Sequence, residues 1–261
     1  MSVLVGCDPE LFLKDANGNW KASCGLFGGS KENPLPFGQT KGFALQEDNV
    51  ALEFNIPPAW NAHMFDTSLE YALSHLNERA NALGLGLSIS ASAIFPEEEL
   101  AHPKAQVFGC DPDYNAWTEE QNPRPDAGNP LLRSCGGHVH VGVKKYSYVQ
   151  KIELIRLLDV LLGVPSIFLD KDSERRKLYG KAGAYRNKEY GVEYRSLSNF
   201  WVAKSDLRKW VFTEVQKAAR MIDEGYTVPV EEGEAIRQAI DQGDYAAARY
   251  VQEKFPCMNM L

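Results

Sequence analysis

SCGGHVHVG, residues 134–142, sets two histidines one residue apart behind paired glycines. In a β-strand, residues two apart project from the same face. His138 and His140 therefore share one side, while Val139, Val141 and Val143 share the other. The valines face a core, and the imidazoles face either water or a site. The strand alone leaves both open, so its reading depends on what other segments place beside it.

Three other segments repeat the pattern. GCDPELFL (6–13) puts Asp8 and Glu10 on one face, and GVEYRSL (191–197) does the same with Glu193 and Arg195. In QEDNVALEFN (46–55), Asp48 precedes a strand and Glu53 lies within it. Carboxylates among apolar strand residues are costly unless paired, hydrated or bound to a cation. Mg2+ and Mn2+ take oxygen ligands with an occasional imidazole, so these residues suit a cage for two or three such ions. Taken singly, each has a plainer reading: a turn at Asp8-Pro9, a solvated Glu53, surface histidines, an ion pair of Glu193 with Arg195.

The stretch from 173 to 195 carries Arg175, Arg176, Lys177, Lys181, Arg186, Lys188 and Arg195 in a chain of net charge −7. Tyr179, Gly180, Gly183 and Tyr185 are interleaved, which suits a loop folding around an anion. Guanidinium forks match phosphate oxygens. Divalent cations beside arginines point to a nucleoside triphosphate and phosphoryl transfer. No GxxxxGK[ST] segment is present, which excludes a P-loop.

The 261 residues are 44% hydrophobic and 24% charged, as expected of a soluble globular protein with a sizeable core. The acidic balance disfavours nucleic-acid binding, and no apolar run is long enough for a membrane span. MSVLVGCDPE lacks a basic segment and apolar core, so no signal peptide is expected. Five cysteines without CxxC spacing predict free thiols in a reducing cytoplasm.

Strands are expected at 2–7 with 10–13, at 50–56, 85–95 and 191–197, and a Gly- and Pro-rich loop over a ligand at 24–38. A helix capped by Asp66 runs to Gly84, and another capped by Ser147 runs to about Leu162 with Pro165 beyond it. Residues 96–133 read as one long loop in which Asp111, Asp113, Tyr114 and Trp117 are candidates for substrate selectivity. The segments 205–223 and 233–254 read as helical, the second broken near Gly243. Without a βαβ rhythm, the fold class expected is α+β with a largely antiparallel sheet and flanking helices.

In this order, GCDPE, LEFN after an Asp, GGHVHVG and GVEYRSLSNFW resemble the carboxylate–amine ligases of the glutamine synthetase-like superfamily. LYGKAGAYRNKEYGVEYRSLSNFW (178–201) is similar to the phage-type branch, the phiEco32-like COOH–NH2 ligases of type 2. The resemblance runs from residue 6 to about 201 and finds no motif in the last 60. It implies a curved, funnel-like sheet binding ATP and Mg2+ or Mn2+, with a catalytic domain at 1–203 and a helical extension at 204–261. It makes Asp8, Glu10, Asp48, Glu53, His138 and Glu193 metal ligands, and turns His140, Arg175, Arg176, Arg186 and Arg195 toward nucleotide phosphate. The reacting centre falls to Glu53, Arg186 and Arg195.

The opening motif departs from the glutathione-synthesis relatives, reading Asp-Pro-Glu where two Glu are usual. Asp48 competes with Glu47 on the neighbouring face. The implied reaction is ATP-dependent amide formation through an acyl phosphate, from small-molecule or peptide carboxylates and amines, in the cytoplasm and in a homo-oligomer. A metal-dependent hydrolase and a non-catalytic phage-related binding protein are the competing readings.

Overall fold

The computed structural model describes residues 2–106, 113–123 and 128–256. Among these residues, ten strands form one sheet in which every pairing is antiparallel. Its hub is β1 (Leu4–Asp15), a single strand that runs through Pro9. β2 (Trp20–Lys21) follows the turn at 16–19 and folds back on β1. β3 (Leu35–Pro36), β4 (Ala44–Asp48) and β5 (Ala51–Asn55) make one wing, with β5 against β1. Asp48 thus ends a strand of its own, and Asn49, at φ 56°, makes the turn into β5.

The chain then enters α1 (Ala62–Ala82), capped by Asn61, whose side chain accepts from the Met64 N–H at 2.8 Å. Asp66 is not the cap: it lies one turn inside, buried and paired with Arg208 at 3.0 Å. The strand expected at 85–95 divides into β6 (Leu85–Ser88), which pairs with β1, and β7 (Ser92–Ile94). The expected loop 96–133 contains two 3-10 turns, β8 (Tyr114–Asn115) and the start of β9 (Leu132–Ser134), which pairs with β7 outside the main sheet. Asp111 falls outside the described residues.

On the other wing, β10 (Gly137–Gly142) lies against β1, followed by β12 (Gly191–Tyr194), β11 (Ala184–Lys188) and β8. The basic stretch is therefore not one loop: it is the short helix α4 (Glu174–Leu178) followed by the β11–β12 hairpin. Between β10 and α4 lie α2 (Tyr148–Leu158) and α3 (Val164–Leu169). Ser147 caps α2 in a reciprocal capping box with Gln150. The helix does not stop before Pro165 as expected. A π turn at Asp159–Gly163 joins α2 to α3, and Pro165 sits in the first turn of α3, where a missing N–H costs little.

After β12 come α5 (Ser205–Asp223), α6 (Gly233–Gln242) and α7 (Tyr245–Lys254), with Gly243 in the break. One core joins the apolar sheet face to these helices: Val139, Val141, Leu52 and Val192 share it with Leu69, Trp210, Ile236 and Val251. The second face of the sheet carries a smaller apolar cluster around Phe12, Ala51 and Phe95, and beside it a run of polar side chains. No helix among the described residues is long and apolar enough to cross a membrane.

Candidate active site

Strand register assembles the polar face. Asp8 on β1 lies opposite His138 on β10, and Glu10 lies opposite Glu53 on β5. His140 lies opposite Glu193 on β12, and Glu193 opposite Arg186 on β11. Since alternate residues share a face, Asp48, Glu53, Asp8, Glu10, His138, His140, Glu193 and Arg186 form one continuous polar strip across five strands and the end of a sixth. Arg195 follows β12 and joins the strip through its side chain.

Among the described residues, two sets of three are spaced for a metal ion. One is Glu10, Asp48 and Glu53; the other is Asp8, His140 and Glu193; in each set the ligand atoms lie within 4.8 Å of one another. The second set has a further property. Asp8 Oδ1, His140 Nε2 and Glu193 Oε2 are all buried, and none makes a hydrogen bond. Charged neighbours do approach them: His140 Nε2 is 3.1 Å from Asp8 Oδ2, and Lys188 Nζ is 2.7 Å from Glu193 Oε2. These are ion-pair contacts, and they leave one ligand atom of each residue without a hydrogen-bond partner. Buried polar atoms are normally satisfied, so this donor set fits a divalent cation.

His138 stands beside that set and outside it. Its Nδ1 is 3.3 Å from Asp8 Oδ1, 3.7 Å from Glu193 Oε1 and 3.3 Å from Arg195 Nη1. Its ring lies over Gly136, where a Cβ would overlap Nε2. A Cβ on Gly137 would instead strike the Ser198 carbonyl and the Trp201 indole. The glycine pair thus seats the histidine ring on one side and lets the 198–201 turn approach on the other.

Electrostatics separates the two sets. Burial, then the charge of Asp48, pushes the Glu10 carboxyl up to about 7. Burial, then Asp8, Glu10 and Asp48, raises Glu53 well above the usual carboxylate range, and burial raises Asp48 as well. In the second set, burial works to raise Asp8, but His140 and His138 hold it well below the ordinary value. Against burial and the Asp8 charge, Arg195 and the two histidines keep Glu193 at about 2. Burial, then the adjacent Arg195, lowers His138 to about 4, so its ring is neutral near pH 7. The Asp8 contact outweighs burial at His140 and raises it.

Cationic groups close one end of the strip. Arg195, 4% exposed, pairs through Nη1 with Glu193 and places Nε 3.2 Å from Asp113 Oδ2. Arg186 Nη1 is 3.6 Å from Glu193 Oε1. Arg175 is buried beneath them, its guanidinium donating to the carbonyls of Ser196 and Arg195 at 3.2 and 3.4 Å. Arg176 is not brought to the strip. It projects from a different side of α4 and pairs with Asp170 at 3.5 Å. Glu47 is not part of it either: on the opposite face, it accepts from the backbone N–H groups of Gly25, Phe27 and Gly28 at 2.8–2.9 Å. The 24–38 loop is therefore anchored by a carboxylate, with no ligand needed to hold it.

Residues 127–254 match the family model of the phage phiEco32-like COOH.NH2 ligase-type 2. Over that stretch, just under half of the chain, the protein is similar to this family. The family is one of carboxylate–amine ligases, so the match supports an enzyme of that general kind. The matched stretch takes in β10, α4, the β11–β12 hairpin and all of α5–α7, so it reaches well past the last motif visible by eye. It does not include Asp8, Glu10, Asp48 or Glu53, which enter the site through strand pairing with the matched part. No curated protein matches the chain.

Residues missed in the sequence are Asp159 and the placement of Lys188. Asp159 is fully buried and accepts from Trp117, Gly183 and Tyr194. Its signal was a lone acid inside the apolar run LLDVLLG (157–163). Trp117 turns inward to meet it, whereas Tyr114 is 45% exposed.

Proposed function

We propose that this chain is an ATP-dependent carboxylate–amine ligase that adopts the glutamine synthetase-like fold and makes its amide through an acyl phosphate, with Mg2+ or Mn2+ on the sheet. The observation that carries this reading is the polar strip itself. It has an unsaturated Asp8–His140–Glu193 donor set, a second carboxylate set beside it, and arginines at one end. A hydrolase would need the donor sets but not the arginines. A binding protein would have no need to bury so many charges.

Glu10, Asp48 and Glu53 would hold one cation, and Asp8, His140 and Glu193 another. A bound cation supplies screening of the phosphate charges and polarises the transferred phosphoryl group. The work left to the chain is positioning. Arg195 and Arg186 face anionic oxygens, and Arg175 stiffens the backbone that carries Arg195. A substrate carboxylate oxygen attacks the γ-phosphorus and the bond to ADP breaks. The amine nitrogen then attacks the acyl carbon, phosphate leaves, and the nitrogen gives up its proton. His138, neutral and wedged between Asp8 and Arg195, orients both. Residues 1–203 form the catalytic domain, with 204–261 as a helical extension on its core. Small-molecule or peptide substrates, a cytoplasmic location and a homo-oligomer complete the reading.

The test is ADP release from ATP with a panel of carboxylic acids and amines, with and without Mg2+ or Mn2+. Release that needs the cation and both co-substrates supports the reading. Arg195→Ala is expected to lower it by about a hundredfold or more. Absence of cation-dependent nucleotide binding sinks the ligase reading for ATP. Cation-dependent hydrolysis of ester or amide substrates without ATP would favour the hydrolase.

A further inference from the structure

Asp159 sits in the π turn at Asp159–Gly163, fully buried, on the side of the sheet away from the polar strip. One carboxylate oxygen, Oδ2, accepts from the Trp117 indole at 2.7 Å and from the Gly183 N–H at 2.6 Å. The other, Oδ1, accepts from the Tyr194 hydroxyl at 2.8 Å. Ser196 Oγ lies 3.3 Å from Oδ1, its single proton shared with the Lys181 carbonyl at 2.8 Å. Indole and backbone N–H groups can only donate. The Oδ2 side therefore demands an acceptor, whereas the Tyr194 and Ser196 hydroxyls on the Oδ1 side can donate or accept.

These donors sit on the three segments that hold Arg195. Tyr194 precedes it and Ser196 follows it. Gly183 precedes Ala184, whose carbonyl accepts the Arg195 backbone N–H at 2.9 Å. Trp117 belongs to the 113–123 segment, which returns to present Asp113 to Arg195 Nε. Asp159 keeps the register of α2, its N–H on the Ile155 carbonyl, and the π turn closes behind it with the Val164 N–H on the Asp159 carbonyl. Such turns recur at functional sites.

We propose that Asp159 is a positioning residue for Arg195: from behind the sheet, one buried carboxylate fixes the three segments that aim the arginine at its anionic ligand. Its role as a phosphate contact rests on the ligase reading above, but the clamp does not. Asp159 touches no reacting atom and acts only through Arg195.

The experiment is a double-mutant cycle on Mg·ATP affinity in the full chain, using Tyr194→Phe, which removes one donor, and Arg195→Ala. Tyr194→Phe is expected to weaken Mg·ATP binding about tenfold in the wild-type background. In the Arg195→Ala background it is expected to have little effect, because coupled residues are non-additive. Equal factors in both backgrounds would mean general destabilisation and would overturn the proposal. Asp159→Leu, which removes both acceptor oxygens, is expected to be worse than Tyr194→Phe; a harmless Asp159→Leu would also overturn it.

If the wild-type protein binds no Mg·ATP, the ligase reading fails and the clamp is read without nucleotide. Amide exchange at 183–186 and 194–196 is then expected to quicken in Tyr194→Phe, with α1 unchanged. Unchanged exchange at those segments would refute the clamp.

Discussion

Gly136 leaves only enough room for the ring of His138. Gly136→Ala is expected to cost about 1–3 kcal/mol through overpacking. It should also weaken Mn2+-dependent stabilisation, because the displaced ring lies against Asp8 and Arg195. Thermal unfolding with and without Mn2+ measures both effects, and an unchanged Mn2+ response would count against the site. Glu53→Gln makes a sharper test. Glu53 is buried among like charges, so the cation-free variant is expected to melt no lower than the wild type while losing much of its response to Mn2+. Much of this was legible from spacing alone: Asp8 with Glu10, His138 with His140, and Glu193 with Arg195 each share a face, as the period of two requires. Partners were not legible. Register decides that His140 meets Glu193, so the unsaturated donor set takes His140 where the resemblance had favoured His138. The adjacent Arg175 and Arg176 diverge because neighbours on a helix point about 100° apart.

At the scale of elements, Glu47 shows why the loop at 24–38 needed a structure to be understood. Its composition announced a loop, but the anchor lies 20 residues away on β4, where three N–H groups converge on one carboxylate. Burial works to raise the Glu47 carboxyl, and those N–H groups lower it below the ordinary value. Its contribution is therefore present above the unfolded carboxylate pKa and lost as pH falls through the lower folded one. Glu47→Gln is expected to cost about 1–3 kcal/mol and to speed amide exchange in the loop. The Mn2+ response should persist, because Glu47 faces away from the strip; its loss would contradict the assignment of faces. The π turn is the opposite case. Helical periodicity ran correctly through 148–162, but a one-residue slip changes no composition and leaves no periodic trace. Only Asp159 among leucines hinted at it.

For the whole molecule, the antiparallel sheet followed from the absence of βαβ rhythm, and α5–α7 from amphipathic spacing and Gly243. The strand order, with β1 between β5 and β10, depends on long-range pairings that no local pattern encodes. That order brings the N-terminal carboxylates, outside the matched stretch, to the histidine strand inside it. It also sets a pH dependence. Glu10 rises from its ordinary 4.5 to about 7, so between those values the folded state holds a proton the unfolded chain has lost. Stability without a cation must then fall as pH rises through that window, by at most about 1.4 kcal/mol per pH unit for each such proton. Glu53 and Asp48 act in the same sense, as does Asp159, raised by burial to about 7. His138, lowered from 6.5 to about 4, opposes them only below 6.5, so the fall is steepest near neutral pH. Cation binding requires the carboxylates ionised. Unfolding midpoints in a chelator should therefore decline from about pH 5 to about pH 7.5, while Mn2+ flattens the decline. A parallel decline with Mn2+ would mean that the carboxylates bind no cation.

The most direct test of the central claim is calorimetric titration of ATP into the full-length protein with Mg2+ and again with a chelator. The account predicts saturable binding that requires the cation and is lost in a His140→Ala, Glu193→Gln double variant that still folds. ATP binding of equal strength in the chelator, or undiminished in that variant, would contradict it.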